Sequence, residues 1–184
     1  MNANNTHPFE SNLDRHPSNY IPLSPVSFLT RAASAFTDKV AVIDGERRYT
    51  YAQLLDRCTR LASGLAQLGV KRLDTVAIIA SNIPEMIEAH FAVPMLGAVL
   101  NPLNTRLDAA NIAFSLMHGS AKVLIVDAEY APLVRQALQQ VDREIVVIDI
   151  ASPDVPVTAL GTHAYEALLA TGDPNFDWPG VTDE

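Results

Sequence analysis

Two polar stretches of the chain carry side chains that could contact a ligand. The first runs from Ala80 to Glu85 (ASNIPE), between an apolar strand-like run and a helix-like pattern. Ligands of open α/β sheets bind beyond the carboxyl ends of the strands, so Ser81 and Asn82 are candidates for ligand contact. The alternative, favoured by spacing alone, is that Ser81 or Asn82 caps the helix that follows.

The second stretch runs from Asn101 to Leu107 (NPLNTRL), after a short strand-like segment. Its functional interpretation is a loop that lines a groove, with Asn104, Thr105 and Arg106 as candidates and Arg106 offered to an anion or a neighbouring carboxylate. The alternative is a strand-to-helix connection in which Asn104 or Thr105 caps the next helix. Spacing alone again favours the structural alternative.

Other reactive residue types lack a pattern that indicates chemistry. Glu85 and Glu88 lie three residues apart, and we interpret them as compensating a helix dipole rather than as an acid–base pair. Cys58, the single cysteine, lies on the apolar face of a helix and is interpreted as a buried small hydrophobe. The five histidines show no metal-ligand spacing and are interpreted as structural or exposed.

The glycines do not form a phosphate-binding loop. The sequence contains neither G-x-G-x-x-G nor G-x-x-x-x-G-K-[ST], and its eight glycines are spread singly. A phosphate cradle needs clustered glycines, because several backbone N–H groups must turn toward the same oxygens. The 184 residues therefore contain no predicted nucleotide-phosphate site.

Composition excludes several function classes. A net charge of −8 argues against nucleic-acid binding, which depends on Lys and Arg neutralising phosphates. A single cysteine excludes a disulfide framework. We find no secretory signal and no apolar run long enough for a transmembrane segment, so a cytoplasmic location is the default expectation.

The elements that position these residues alternate between strands and helices. Thr50 and Gln53 form a capping-box pattern at the start of a long helix that Gly69 ends. Continuous apolar runs at 76–79 and 123–126 are typical of strands buried on both faces. Such alternation predicts an α/β fold with a mostly parallel sheet flanked by helices. We divide the chain into a loose N-terminal arm (1–22), a partial α/β subdomain (23–150) and a loop-rich segment (151–184).

From about residue 23 to residue 150, the chain resembles the N-terminal region of the adenylate-forming (AMP-binding) acyl-CoA synthetases. The similarity rests on the motifs YTY-x-QLL, GV-x-x-x-DTVAII-x-x-N-x-PE, GAVLNPLNTRL and HG-x-AKVLIVD, in family order and with family spacing. The resemblance implies that the sheet is the first part of the large N-terminal domain of that fold. It is strongest to the branch that acts on medium-chain, methylthio- or aryl-carboxylic acids.

The resemblance also implies an activity and its cofactors. In this family a carboxylate and ATP form an acyl-adenylate and pyrophosphate, and coenzyme A then displaces AMP. The family uses ATP, Mg²⁺ and coenzyme A, with a Gly/Ser/Thr-rich loop and Mg²⁺ holding the phosphates. That loop and the small C-terminal domain are expected beyond Glu184, so no catalytic, cofactor-binding or metal residue is assigned in this chain.

Two interpretations of the chain follow. In the first, it is the N-terminal part of an acyl-CoA ligase, inactive by itself and unable to bind the cofactors tightly. In the second, it is a short non-catalytic α/β protein that binds a partner such as a full-length ligase. Under either interpretation, surfaces that the family covers would be exposed and would favour association, including formation of a homo-oligomer.

Overall fold

A computed structural model describes residues 24–152, 155 and 159–179 of the chain. The helices are α1 (Pro25–Ala35), α2 (Tyr51–Gln67), α3 (Pro84–Met95), α4 (Ala109–His118), α5 (Ala131–Leu138) and α6 (Tyr165–Thr171). The strands are β1 (Val40–Asp44), β2 (Arg47–Thr50), β3 (Thr75–Ile79), β4 (Val99–Pro102), β5 (Ala121–Asp127), β6 (Val146–Ile150) and β7 (His163–Ala164). A short 3₁₀ turn, Ala128–Tyr130, separates β5 from α5.

The main sheet is parallel throughout the part of the chain that the structure describes. Its five strands lie in the order β4-β3-β5-β6-β7, and β1 and β2 form a separate antiparallel hairpin. The predicted α/β class is therefore confirmed. Because the strands are parallel, their carboxyl ends lie along one edge of the sheet.

Two apolar clusters sandwich this sheet. On one face, residues of α1, α2, α3 and α6 pack against Val76 and Ile78 of β3. On the other face, residues of α4 and α5 pack against Ala77 and Ile79 of the same strand. The four residues are fully buried, which confirms that this strand is apolar on both faces.

Local signals place the helix ends correctly at α1 and α2. The Ser24 hydroxyl accepts a hydrogen bond from the backbone N–H of Val26 at 3.2 Å, and Thr50 and Gln53 form the predicted capping box. Gly69, with φ of +84°, follows α2 in the left-handed conformation that glycine tolerates.

The segment after residue 151 adds structure to both the sheet and the core. Strand β7 pairs with β6, and the Tyr165 and Leu169 side chains of α6 are buried in the cluster that contains α2. Gly64 of α2 lies at a close approach to α6, because a Cβ at that position would lie 2.6 Å from Cγ of Leu168. The expected arm, residues 1–22, lies outside the described residues, and the division into three segments stays a prediction.

Several large apolar side chains remain on the surface of the described chain. Phe28, Ile43 and Phe114 are among them, with 59%, 65% and 60% of their area exposed. Surfaces of this kind commonly mark places where another chain segment or another protein packs. The expectation of association through exposed apolar surface therefore stays open as a prediction.

Candidate ligand groove at the carboxyl ends of the strands

A polar groove lies at the carboxyl ends of β3 and β4. The two strands are in parallel register, with Ile78 opposite Pro102, so the loops that follow them leave the sheet side by side. The groove has a volume of about 590 Å³, within the usual range for small-molecule sites. It is lined by Ala80, Ser81, Asn82, Met86, His90, Pro102, Leu103, Asn104 and Thr105.

Four of the five candidate residues meet in this groove. Ser81 and Asn82 reach it from the loop after β3, and Asn104 and Thr105 reach it from the loop after β4. Arg106, the fifth candidate, is exposed and does not line the groove. Its backbone N–H donates a hydrogen bond to Oδ1 of Asn104 at 2.9 Å, which holds the loop in a tight turn.

The alternative interpretation of these residues as helix caps is wrong. Helix α3 is preceded by Ile83 at the N-cap position, with no side-chain cap. Helix α4 is capped by Asp108, whose Oδ1 accepts from the backbone N–H of Asn111 at 2.9 Å. Asp108 stands directly before the first helical residue, where a carboxylate both caps the helix and favours its dipole.

Ser81 is held by a hydrogen-bond network that comes from the end of β5. Its hydroxyl lies 2.8 Å from the Tyr130 hydroxyl and 3.2 Å from Oε2 of Glu129. Both partners belong to the 3₁₀ turn, which the side chain of Asp127 caps by accepting from the Glu129 backbone N–H at 3.1 Å. The Tyr130 ring packs against the second apolar cluster, so this network ties Ser81 to the core.

His90 also lines the groove, a position that the sequence analysis did not predict. Its Nδ1 is 2.8 Å from the carbonyl oxygen of Met86, one turn earlier on α3. A carbonyl oxygen only accepts, so Nδ1 carries the proton and, in the neutral ring, Nε2 is an acceptor. The spacing of Asn82, Met86 and His90, each four residues apart, is the one sequence signal that could have grouped them.

The interpretation of Glu85 and Glu88 as dipole compensation is incomplete. Glu85 lies in the first turn of α3, as that interpretation expects, but both carboxylates are also buried and paired with arginines. Oε1 of Glu85 lies 2.6 Å from Nη1 of Arg47, in the β-hairpin. The fully buried carboxylate of Glu88 accepts from Nε of Arg57 at 2.6 Å and from the hydroxyl of Tyr165 at 2.7 Å. Burial raises the pKa of Glu88 above its ordinary value, and the bond to Arg57 opposes that shift.

Cys58 is buried as predicted, and burial raises the pKa of its thiol well above the ordinary value. A thiol in this environment is a poor nucleophile. Among residues 24–152, 155 and 159–179, no cluster of three His, Cys, Asp or Glu side chains could hold a metal ion. No helix in the same part of the chain is long and apolar enough to cross a bilayer.

Comparison with known proteins identifies the family. The model of the AMP-binding enzyme family matches residues 29–176, which is most of the chain. The chain belongs to the AMP-binding enzyme family. This finding confirms the resemblance that the sequence motifs indicated. The matched region extends beyond those motifs and includes β7 and α6.

Several curated relatives are named as CoA ligases of plants. The peroxisomal acetate/butyrate–CoA ligase of Arabidopsis thaliana is 44% identical over 185 residues, covering 94% of this chain and 32% of the relative. The acetate–CoA ligase of Humulus lupulus is 44% identical over 186 residues, covering 94% of this chain and 33% of the relative. The chain therefore spans about a third of the length of these relatives.

Solved structures of CoA ligases share the fold. An anthranilate CoA ligase in complex with anthranoyl-AMP matches with a TM-score of 0.81 and 19% identity, over 90% of this chain and 31% of that one. A putative long-chain-fatty-acid CoA ligase from Rhodopseudomonas palustris matches with a TM-score of 0.69 and 32% identity, over 80% of this chain and 36% of that one. The parallel sheet is thus the N-terminal part of the adenylate-forming ligase fold, as expected.

Proposed function

We propose that this chain supplies the first α/β layer of an ATP-dependent acid–CoA ligase. The reaction joins a carboxylic acid to coenzyme A and converts ATP to AMP and pyrophosphate. The observation that carries the proposal is the family match over residues 29–176, together with 44% identity to two CoA ligases over nearly the whole chain. The chain contributes the groove at the carboxyl ends of the strands. The remaining catalytic and cofactor-binding residues belong to the part of the enzyme that corresponds to the unmatched two thirds of each relative's length.

The acid in this proposal is a small monocarboxylic acid. Relatives at 38–44% identity are named for acetate, butyrate, benzoate and trans-cinnamate. This set contains short-chain and aryl acids, and it overlaps the aryl class that the sequence motifs suggested. Medium-chain and methylthio acids stay in the proposal as further candidates, to be tested beside the four named acids.

The residues that the structure describes do not fit Mg²⁺–triphosphate. Its binding requires oxygen ligands for the metal and donors or cations for the phosphates. The lining of the groove includes no carboxylate, lysine or arginine, and no metal-binding cluster occurs among the described residues. We therefore derive no catalytic step from these residues, and we propose that the chain by itself does not form the acyl-adenylate.

The location of the protein is proposed as cytoplasmic, with the peroxisome as the competing location. The competing location rests on relatives such as the acetate/butyrate–CoA ligase, which is named as peroxisomal. Fractionation of source cells, with antibodies against a peroxisomal and a cytoplasmic marker, separates the two. Recovery of the chain in the peroxisomal fraction would overturn the cytoplasmic proposal.

ATP–pyrophosphate exchange tests the proposed function. The 184-residue chain is compared with a chimera in which the matching region of the Humulus lupulus acetate–CoA ligase is replaced by residues 29–176 of this chain. We expect exchange with at least one of the acids from the chimera and none from the chain alone. A folded chimera that exchanges with no acid, beside an active parent ligase, would refute the assignment. Exchange by the chain alone would refute its dependence on the remaining segments.

A further inference from the structure

A second groove lies between α1, the first half of α2 and the segment 174–178. We call it the α2 groove. Its volume is about 660 Å³, within the usual range for small-molecule sites. It shares no lining residue with the groove at the carboxyl ends of β3 and β4, so the two are separate places on the protein.

The residues just before the segment 174–178 hold that segment against α2. The backbone N–H of Asp173 donates to Oγ of Ser63 at 3.0 Å, and Nη1 of Arg60 donates to the carbonyl oxygen of Gly172 at 3.1 Å. The two backbones touch at Gly172, where a Cβ would lie 2.3 Å from the carbonyl oxygen of Arg60. This wall of the α2 groove is therefore preformed, and a ligand does not bear the cost of ordering it.

The same segment brings two aromatic side chains to the α2 groove. Phe176 and Trp178 line it, are partly buried and pack against the first apolar cluster. Ala33 of α1 and Leu55 of α2 extend the apolar lining. Because the faces of aromatic rings carry partial negative charge, they attract a cation that has an apolar body and do not attract an anion.

The charged side chains that line the α2 groove are both acidic. They are Asp56 and Asp177, and no lysine, arginine or histidine among the described residues lines it. Oδ2 of Asp56 accepts from Nε of Arg60 at 2.9 Å, so part of its charge is balanced within α2. Asp177 is exposed, and the net charge of −8 adds to the attraction for cations. The charges therefore favour a cationic ligand over an anionic one.

The hydroxyl of Thr59 adds a hydrogen-bonding group to the α2 groove. Thr59 lines the groove although only 4% of its area is exposed. The hydroxyls of Thr30, Thr37 and Thr171 each donate to a carbonyl oxygen one turn earlier, but that of Thr59 has no partner within the described part of the chain. No buried side-chain oxygen in that part lacks a partner, so the Thr59 oxygen is accessible from the groove. It can donate to a ligand hydroxyl or accept from one.

We propose that the α2 groove binds a small organic cation, in which an ammonium group is joined through a short carbon chain to a hydroxyl, as in choline and ethanolamine. The ammonium lies against Phe176 and Trp178, beside the carboxylates of Asp56 and Asp177. The ligand hydroxyl bonds to Thr59. Carboxylates and phosphates are excluded by the two acidic side chains. The site is additional to the proposed ligase activity and does not depend on it, because the α2 groove is separate from the groove at the strand ends.

The fluorescence of Trp178 measures binding directly, because this residue is the only tryptophan in the sequence and lines the α2 groove. The 184-residue chain is titrated at constant ionic strength with choline, ethanolamine, neohexyl alcohol and tert-butylacetate, with sodium chloride as the blank. Neohexyl alcohol has the shape of choline, with a carbon atom in place of the nitrogen. Choline should bind about tenfold more tightly than neohexyl alcohol, through one cation–π contact and one exposed ion pair. The carboxylate tert-butylacetate should give no response.

Variants separate the contributions of charge and hydroxyl. Asp177→Asn should weaken choline binding about threefold and leave neohexyl alcohol unaffected, because only choline is charged. Thr59→Val keeps the shape of the side chain and should weaken both ligands about fivefold, since both carry the hydroxyl. Asp142→Asn makes the same change of charge in the loop between α5 and β6, outside the α2 groove, and should bind choline like the unaltered chain.

Equal affinity for choline and neohexyl alcohol would overturn the inference, because the α2 groove would then recognise only an apolar shape. A response to tert-butylacetate as large as that to choline, or no response to either ammonium compound, would overturn it too. Tighter binding of choline than of ethanolamine assigns the selectivity mainly to the aromatic rings, and the reverse order assigns it to the carboxylates; both orders support an organic cation.

The chimera with the Humulus lupulus ligase extends the test to a longer enzyme. Saturation transfer from the chimera to the methyl protons of choline is expected, and it should decrease in the chimera that carries Asp177→Asn. No transfer would show that the rest of the enzyme covers the α2 groove, which would overturn the site. The readout does not involve ATP–pyrophosphate exchange, so failure of this inference is distinguishable from failure of the proposed function.

Discussion

Replacing Glu88 with alanine is expected to lower the free energy of unfolding by about 3 kcal/mol, the low end of the cost of breaking a buried ion pair. The Glu88 carboxylate accepts from Nε of Arg57 at 2.6 Å, from Nη2 of Arg57 at 3.2 Å and from the Tyr165 hydroxyl at 2.7 Å. Its side chain has no exposed area, so water cannot replace these bonds when the carboxylate is removed.

The magnitude follows from what the substitution leaves behind. The fully buried Tyr165 hydroxyl loses its acceptor, which costs about 1–3 kcal/mol. The Arg57 side chain, 16% exposed, keeps Glu166 as a partner at 2.6 Å. This remaining partner is why the estimate lies at the low end of the range for an uncompensated buried charge.

Urea unfolding, followed by the fluorescence of Trp178, measures the effect. Trp178 is the only tryptophan in the sequence, and it packs against the core cluster that contains Tyr165, a hydrogen-bond partner of Glu88. Glu166→Ala is the matched control: its side chain is 64% exposed, so its ion pair should contribute less than about 1 kcal/mol. A loss of less than about 1 kcal/mol for Glu88→Ala, or an equal loss for both variants, would refute the account of buried pairing.

Three further perturbations test other parts of the structure. Asp74→Asn should lower the free energy of unfolding by less than about 1 kcal/mol at neutral pH. Hydrogen bonds from Lys122 and from the Lys71 backbone lower the pKa of Asp74 below 3.8, so the difference in stability should vanish as the pH falls through that lowered pKa. A difference that persists in urea titrations at acid pH would contradict this account. Gly64→Ala should destabilise by about 1–3 kcal/mol through overlap with Leu168, with partial rescue by Leu168→Ala; a stabilising Gly64→Ala would show that helix propensity outweighs the clash. Arg106→Ala should leave the rates of adenylation and thioester formation by the chimera unchanged, because Arg106 does not line the groove. A rise in KM for one substrate alone would show that Arg106 contacts that substrate.

The sheet was predictable because its determinants are local in sequence. Continuous apolar runs such as 123–126 have no polar face, and only a strand covered on both sides satisfies them. The capping box of Thr50 and Gln53 is likewise written in four consecutive residues.

Contacts between distant segments could not be predicted from such patterns. Glu88 meets Arg57 and Tyr165 across 31 and 77 residues of sequence, and no local spacing encodes either pair. The Tyr130–Ser81 bond required knowing that β5 lies beside β3, which the order of elements along the chain leaves open. The capping residue of α4 was ambiguous for a related reason. NPLNTRLD contains several residues that can cap a helix, and the structure has Asp108 rather than Asn104 or Thr105 at the cap.

The two polar networks differ in a way that favours the groove as the ligand site. No buried side-chain nitrogen or oxygen among the described residues lacks a hydrogen-bond partner. Around Glu88, the bonds from Arg57 and Tyr165 satisfy the carboxylate within the protein, so the network joins helices and has no need of a ligand. In the groove, Ser81 and His90 are held by bonds that use only part of their capacity. Such side chains are already held in place but still have hydrogen-bonding atoms without a partner. A ligand can bond to these atoms without the entropic cost of ordering the side chains.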